Sequence, residues 1–290
     1  MQKRLLLVLF VVTSIFFTGC TVTRMFSEKG RNVNKALEYY SDKKYAESMV
    51  LLMDTLDQVP DYKDAYENLN EKFPKVVKMK VESIEKLVNS DSADRFAELG
   101  KEYEVLYVIN KRAENVTSSA KSKMNFEILA TAPLKEKLAE NYYKAGETYY
   151  AKGSRENKKN AAKMFSKIVK YYPEYRDAKS KYETYKEEAM QRVMFSPIKS
   201  YVTEGVNVSS LIYTNLNSYV VNSSELTEFT QILSREQVDN LLKEQKLALE
   251  GVIDPATVAQ VGKTLGANIV IDVEIPVVSY SESEPSRSST

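Results

Sequence analysis

The chain of 290 residues carries 41 Lys+Arg against 40 Asp+Glu, with no His, no Trp and a single Cys. Without His there is no Ser-His-Asp triad, no His general base and no His-ligated zinc or haem. One Cys forms no internal disulfide, iron–sulfur cluster or CxxC pair. The balanced charge gives no electrostatic reason to expect nucleic acid as a partner. What remains for chemistry is carboxylates, Lys, Tyr and hydroxyls, so the composition points to a binding or scaffolding protein rather than an enzyme, with no cofactor. At 43% hydrophobic the chain can bury a core, and its length fits roughly two domains of about 150 residues with a short leader.

The first residues read MQKRLLLVLFVVTSIFFTGC. Lys3 and Arg4 form a positive start, and Leu5 to Phe17 form an apolar run of 13 residues, too short to cross a hydrocarbon core of roughly 30 Å comfortably. Thr18 and Gly19 then precede Cys20, the sole cysteine. This resembles a bacterial lipoprotein signal with its lipobox, Phe17 standing where the usual pattern has Leu. The resemblance implies cleavage before Cys20, a diacylglycerol thioether on its sulfur and acylation of the new amino terminus. Two or more acyl chains anchor a protein stably without a spanning helix. The alternative is an ordinary secretory signal or an N-terminal anchor helix with a free thiol. Thr21 is not the Asp that retains such proteins at the inner membrane of enteric bacteria, which favours the outer membrane, the body facing the periplasm.

From residue 32 to 190 apolar residues recur at helical spacing. Val50, Leu51, Met53, Leu56 and Val59 form one stripe; Val76, Met79, Ile84, Leu87 and Val88 form another. Pro60, Pro74, Pro133 and Pro173 each favour a helix boundary. Two stretches share a grammar. Tyr45-Ala46 leads to Pro60-Asp61-Tyr62-Lys63-Asp64-Ala65, and Ala161-Ala162 leads through Phe165 to Pro173-Glu174-Tyr175-Arg176-Asp177-Ala178. The repeat resembles tetratricopeptide-type helical hairpins, with Ala161 and Phe165 at close-packing positions and Pro173 at the turn. The doublets Tyr39-Tyr40, Tyr142-Tyr143, Tyr149-Tyr150 and Tyr171-Tyr172 read either as an aromatic groove or as helix seams with buried rings and wet hydroxyls. Residues 154–159 (SRENKK) read as a solvated loop, and 111–122 as a loop or frayed helix end.

At Arg192 the pattern changes. Val193 to Ile198 reads as a strand, Val208 to Val221 as a helix with Leu211, Ile212, Leu216 and Tyr219 inward, and Phe229 to Leu233 as β-favouring. Ser234 with Gln237 makes a capping box for a helix running to Gly251. Asp254 and Pro255 open another helix that stops at Gly266, and Asn268 to Ile275 reads as a strand. The fold class is therefore an α-helical repeat of stacked hairpins followed by a small α/β domain, β-α-β-α-α-β. The run from Ser234 to Ile275 resembles the core of the curli-assembly CsgG family. The matching residues are Arg235, Leu241, Leu242, Glu244, Gln245, Gly251, Asp254, Gly262, Lys263, Leu265, Gly266 and Ala267. Pore-forming members continue into long amphipathic hairpins, whereas here Pro276 leads into SESEPSRSST, as in a minimal or a truncated version. Either argues against a channel made by this chain alone.

Gly262-Lys263-Thr264 is not a P-loop, because Thr257 stands where that motif needs Gly. Asp272 and Glu274 share one strand face without an accompanying nucleophile or ligand cluster. The expected organisation is a leader (1–19), a lipidated linker (20–31), a helical-repeat domain (32–190), a CsgG-like domain (191–280) and a polar tail (281–290). The function this implies is a lipid-anchored periplasmic adaptor of an envelope secretion or cell-wall machine. It would be held in the membrane through Cys20 and would contact envelope proteins through a helical groove and the CsgG-like domain, including the helix from Arg235 to Gln245. Self-association is allowed for, and the alternative is a subunit of a CsgG-like secretion pore.

Overall fold

The structure, a computed structural model, describes residues 27–195, 199–200, 208–223, 228–233, 236, 238, 240, 255–271 and 274–275. The chain divides into two compact units, Met1–Tyr182 and Glu183–Thr290. No helix among the described residues is long and apolar enough to cross a membrane.

The first unit is a stack of helical hairpins, as the apolar periodicity requires. Helices α1 (Glu28–Ser41) and α2 (Tyr45–Gln58) form the first pair. Ser27 caps α1, its hydroxyl accepting from the Gly30 amide at 3.0 Å. Met49, Leu52, Met53 and Leu56 of α2 are fully buried at the spacing of one helix face. Ser48 lets the two helices close up and donates its hydroxyl to the Ala36 carbonyl at 2.7 Å.

Helix α3 (Lys63–Val88) corrects two expectations. Pro74 lies inside it and marks no boundary; its ring is exposed, on the side where water can serve the Asn70 carbonyl that loses its helical donor. The second stripe holds only in part. Ala65, Leu69, Phe73 and Val76 are buried and Ile84 and Leu87 half-buried, but Met79 is 38% and Val88 57% exposed.

Helix α4 (Arg95–Glu114) and a single turn, α5 (Ser118–Lys121), follow, so residues 111–114 continue a helix and Thr117 caps a second short one. Arg112 of α4 reaches Asp54 at 2.8 Å and Asp57 of α2, and the Thr117 amide donates to Asp57 at 2.7 Å. Residues 122–130 then run across α3 and α4 without helix. The Asn70 amide donates to the Lys123 carbonyl at 2.8 Å while its oxygen accepts from the Asn125 amide at 3.1 Å. The buried Asn110 accepts from the Leu129 amide at 2.7 Å. Met124, Phe126 and Ile128 alternate onto the core, the period-two pattern of an extended segment.

Helices α6 (Thr131–Ala151) and α7 (Arg155–Tyr171) complete the third hairpin, followed by α8 (Ala178–Ala189). The stretch 154–159 is not a loop: Ser154 caps α7, accepting from the Asn157 amide at 3.2 Å, and Glu156 sits favourably in its first turn. Ala161, Phe165 and Ile168 are fully buried and Pro173 follows the end of the helix, as the repeat grammar requires. Gly100 and Gly146 permit the closest approaches. A Cβ on Gly100 would stand 2.5 Å from the Tyr142 ring, and one on Gly146 2.5 Å from that of Phe165.

The second unit is a small α/β fold. Strand β1 (Gln191–Phe195) is central between β3 (Thr230–Ile232) and β4 (Ile269–Ile271), all parallel. The short β2 (Lys199–Ser200) pairs in parallel with β5 (Glu274–Ile275). Val193 pairs with Ile269 but Lys199 pairs with Glu274, so one more residue separates β1 from β2 than separates β4 from β5. Of the four residues expected inward on helix α9 (Val208–Asn222), Ile212 and Leu216 are half-buried, whereas Leu211 and Tyr219 are exposed. Tyr213, next to Ile212, sets its ring edge-on to Phe195 at 6.0 Å.

Helix α10 (Pro255–Thr264) packs on the sheet through Gly262, where a Cβ would meet Val270 Cγ2 at 2.7 Å. It ends as expected at Gly266, with φ +73°. The Gly266 amide donates to the Lys263 carbonyl at 3.1 Å and the Ala267 amide to that of Gly262 at 2.8 Å, the double bond of a Schellman cap. Gly266→Ala should therefore destabilise the second unit by about 1 kcal/mol, measured by urea unfolding, since an L-residue is strained at that φ.

Candidate functional site

Of the residues singled out in the sequence, Cys20 lies outside the described residues, as do Asp272, Ser234, Gln237 and most of the helix from Arg235 to Gln245. Of that helix, Glu236 and Asn240 are exposed and Val238 is buried with Met194, Leu233 and Val261. Gly262-Lys263-Thr264 closes a helix instead of opening one, which fits close packing and not a phosphate cradle.

The first unit holds a groove of about 520 Å³ that no single stretch of sequence reveals. It is walled by the second helix of each hairpin. Helix α2 contributes Ala46, Glu47 and Val50, α4 contributes Lys101, Glu104, Val105 and Val108, and α7 contributes Lys167, Lys170 and Tyr171. The apolar lining residues follow helical spacing: Ala46 and Val50 are four apart on α2, and Val105 and Val108 three apart on α4. Their small and branched side chains form a half-buried apolar floor.

Glu104 organises one wall. Its carboxylate accepts from the Tyr142 hydroxyl at 2.5 Å, the Tyr171 hydroxyl at 2.8 Å and the Lys167 ammonium at 2.9 Å, which ties α4 to α6 and α7. Burial pushes this carboxyl up, but the hydrogen bonds from Tyr142, Lys167 and Tyr171 outweigh it and hold the group below the usual carboxylate range. Burial, reinforced by the Glu104 charge, raises both tyrosines, so each stays a neutral donor. A carboxylate kept ionised and saturated with donors is a structural hub and makes a poor proton donor at neutral pH. The Tyr107 ring stands edge-on to Tyr171 at 5.7 Å, and Tyr142 is 1% exposed.

Four of the eight doublet tyrosines, Tyr142, Tyr143, Tyr149 and Tyr171, lie at helix seams with their hydroxyls donating to carboxylates. Tyr143 donates to Asp177 at 2.8 Å and Tyr149 to Asp94 at 2.9 Å. Among the described residues no group of three or more His, Cys, Asp or Glu is placed to hold a metal ion.

Residues 190–288 match the family model described as curli production assembly/transport component CsgG. The second unit is thus CsgG-like, over about a third of the chain, and the match points to the bacterial cell envelope and its outer membrane. No curated protein matches the chain significantly.

Proposed function

We propose that this protein is a lipid-anchored adaptor on the periplasmic side of the outer membrane, acting through protein–protein contacts in an envelope secretion or cell-wall machine and catalysing no reaction. The observation that carries the reading is the CsgG match across the second unit, which supports an envelope role with contacts to other polypeptides or to further copies of itself. The helical unit supports it independently, because a groove with an apolar floor and a charged rim suits a polypeptide ligand. The same stack also holds residues 123–129 of its own chain in extended form through side-chain amides. The anchor would be Cys20, and the short apolar leader before it supports that assignment.

The CsgG match also favours a second reading, a subunit of a secretion pore. Native mass spectrometry separates the two: a closed ring of copies, or conductance in planar bilayers, is the pore result, and a monomer without conductance is the adaptor result.

The anchor is tested by growing cells with radiolabelled palmitate. The wild-type chain should take up label and partition into detergent, and Cys20→Ala should lose both. Label that never enters the wild-type chain, or detergent partitioning unchanged by the substitution, would remove the anchor from the proposal.

A further inference from the structure

We infer that the groove between α2, α4 and α7 recognises an extended polypeptide through one acidic side chain set beside an aliphatic one, an inference that deepens the adaptor reading and rests on it. The floor of Ala46, Val50, Val105 and Val108 offers aliphatic contact and no charge. The charge lies in the lining above it, and it is unevenly satisfied. Lys167 is held by Glu104 at 2.9 Å, and Glu104 already accepts from three donors. Lys101 and Lys170, both exposed, make no ion pair among the described residues; Lys170 rests only over the Tyr171 ring, 4.8 Å from its centre. Two ammonium groups thus face the groove against one carboxylate of the lining not already engaged, that of Glu47.

This balance selects the occupant. A basic side chain would meet Lys101 and Lys170 repulsively. A wholly apolar segment would strip water from both ammonium groups and give nothing back. A carboxylate compensates them with a charge-assisted hydrogen bond, while its aliphatic neighbour covers the valines. Because Glu47 occupies the α2 side, the acid belongs on the side of α4 and α7, with the aliphatic group toward Val50. The segment is extended for the reason the chain's own residues 123–129 are, since alternate side chains then point into the scaffold while the backbone stays free to hydrogen-bond.

The test uses the purified full chain in detergent on a cellulose array of decapeptides, acetylated and amidated at their ends. The flanks are randomised and the central pair is Leu-Glu, Leu-Gln or Leu-Lys, so the central residue alone sets the fixed charge. Leu-Glu spots should retain at least fivefold more protein than Leu-Gln, and about 0.5 M salt should erase the difference, as expected for exposed charges. Lys101→Glu with Lys170→Glu should reverse the preference toward Leu-Lys without moving the melting transition, since both side chains are exposed. Equal retention of the three pairs, or a preference untouched by the double substitution, overturns the inference. In that case the groove itself is judged by Val50→Arg, or by Ala46→Arg should the former not fold. Retention lost in that variant leaves the adaptor reading standing. Retention that survives it, or absent from every spot with the wild-type chain, takes the groove reading down as well.

Discussion

Glu104→Gln should lower the unfolding free energy of the helical unit by about 3 kcal/mol, read from urea denaturation followed by far-ultraviolet circular dichroism. The substitution keeps the shape and removes the charge. Two tyrosine hydroxyls and an ammonium then converge on a neutral amide whose nitrogen side is itself a donor. Hydrogen bonds to a charged group contribute about 1.5–3 kcal/mol each, and a buried donor left unmade adds its desolvation cost. The Lys167 bond counts for least, because that side chain is 42% exposed against 16% for Glu104 and solvent screens it. The Tyr142 bond counts for most, since its ring is sealed between α4 and α6. Tyr142→Phe should therefore reproduce more of the loss than Lys167→Met does.

The same site sets an acid limb. The Glu104 carboxyl lies below its ordinary value of 4.5 in the fold, so it binds its proton less readily folded than unfolded. Its contribution is present above about pH 4.5 and is lost as pH falls through the depressed folded value. The stability gap between wild type and Glu104→Gln should accordingly narrow between pH 6 and pH 3. A gap that stays constant over this range would show that shape, and not charge, is what the substitution removed.

How much of this could be seen in the sequence depended on the range of the interaction that decides each feature. Local rules succeeded where neighbours decide. Pro255 at a helix start and the stop at Gly266 are set by residues within one or two turns, and Ala161 and Phe165 are buried at the positions their spacing marks. They failed where a distant element overrides a propensity. Pro74 reads as a breaker, yet Phe73 and Val76 around it are buried in the core, and that packing carries the helix through. Residues 154–159 read as a loop on their charge, yet the cap at Ser154 opens a helix at Arg155. Leu211 and Tyr219 read as inward from hydrophobicity alone, yet both are exposed, and it is Tyr213 whose ring meets the sheet at Phe195. Glu104 carried no signal of its own. Its partners lie 38, 63 and 67 positions away, and only the doublets containing Tyr142 and Tyr171 hinted that something polar waited at those seams.

Phe73→Ala should cost about 4 kcal/mol, the range for emptying a fully enclosed aromatic site, and should do so through two losses that can be told apart. Phe73 is 1% exposed, so the cavity left in α3 forfeits contact with the core formed by α1, α2 and α4. Its ring also lies on that of Phe126, with centroids 4.1 Å apart and planes inclined by 18°. That second contact holds the extended residues 122–130 on the stack, together with the amides of Asn70 and Asn110. A double-mutant cycle with Phe126→Ala isolates the stacking energy, expected at about 1 kcal/mol. Hydrogen exchange supplies the complementary reading. In Phe126→Ala the amides of Asn125 and Leu129, whose acceptors are the asparagine side chains, should lose protection while those of α2 keep theirs. If α2 amides lost protection equally, residues 122–130 would open only with the whole unit. The asparagine clamps would then be part of the core's single cooperative transition and not a separate layer laid over it.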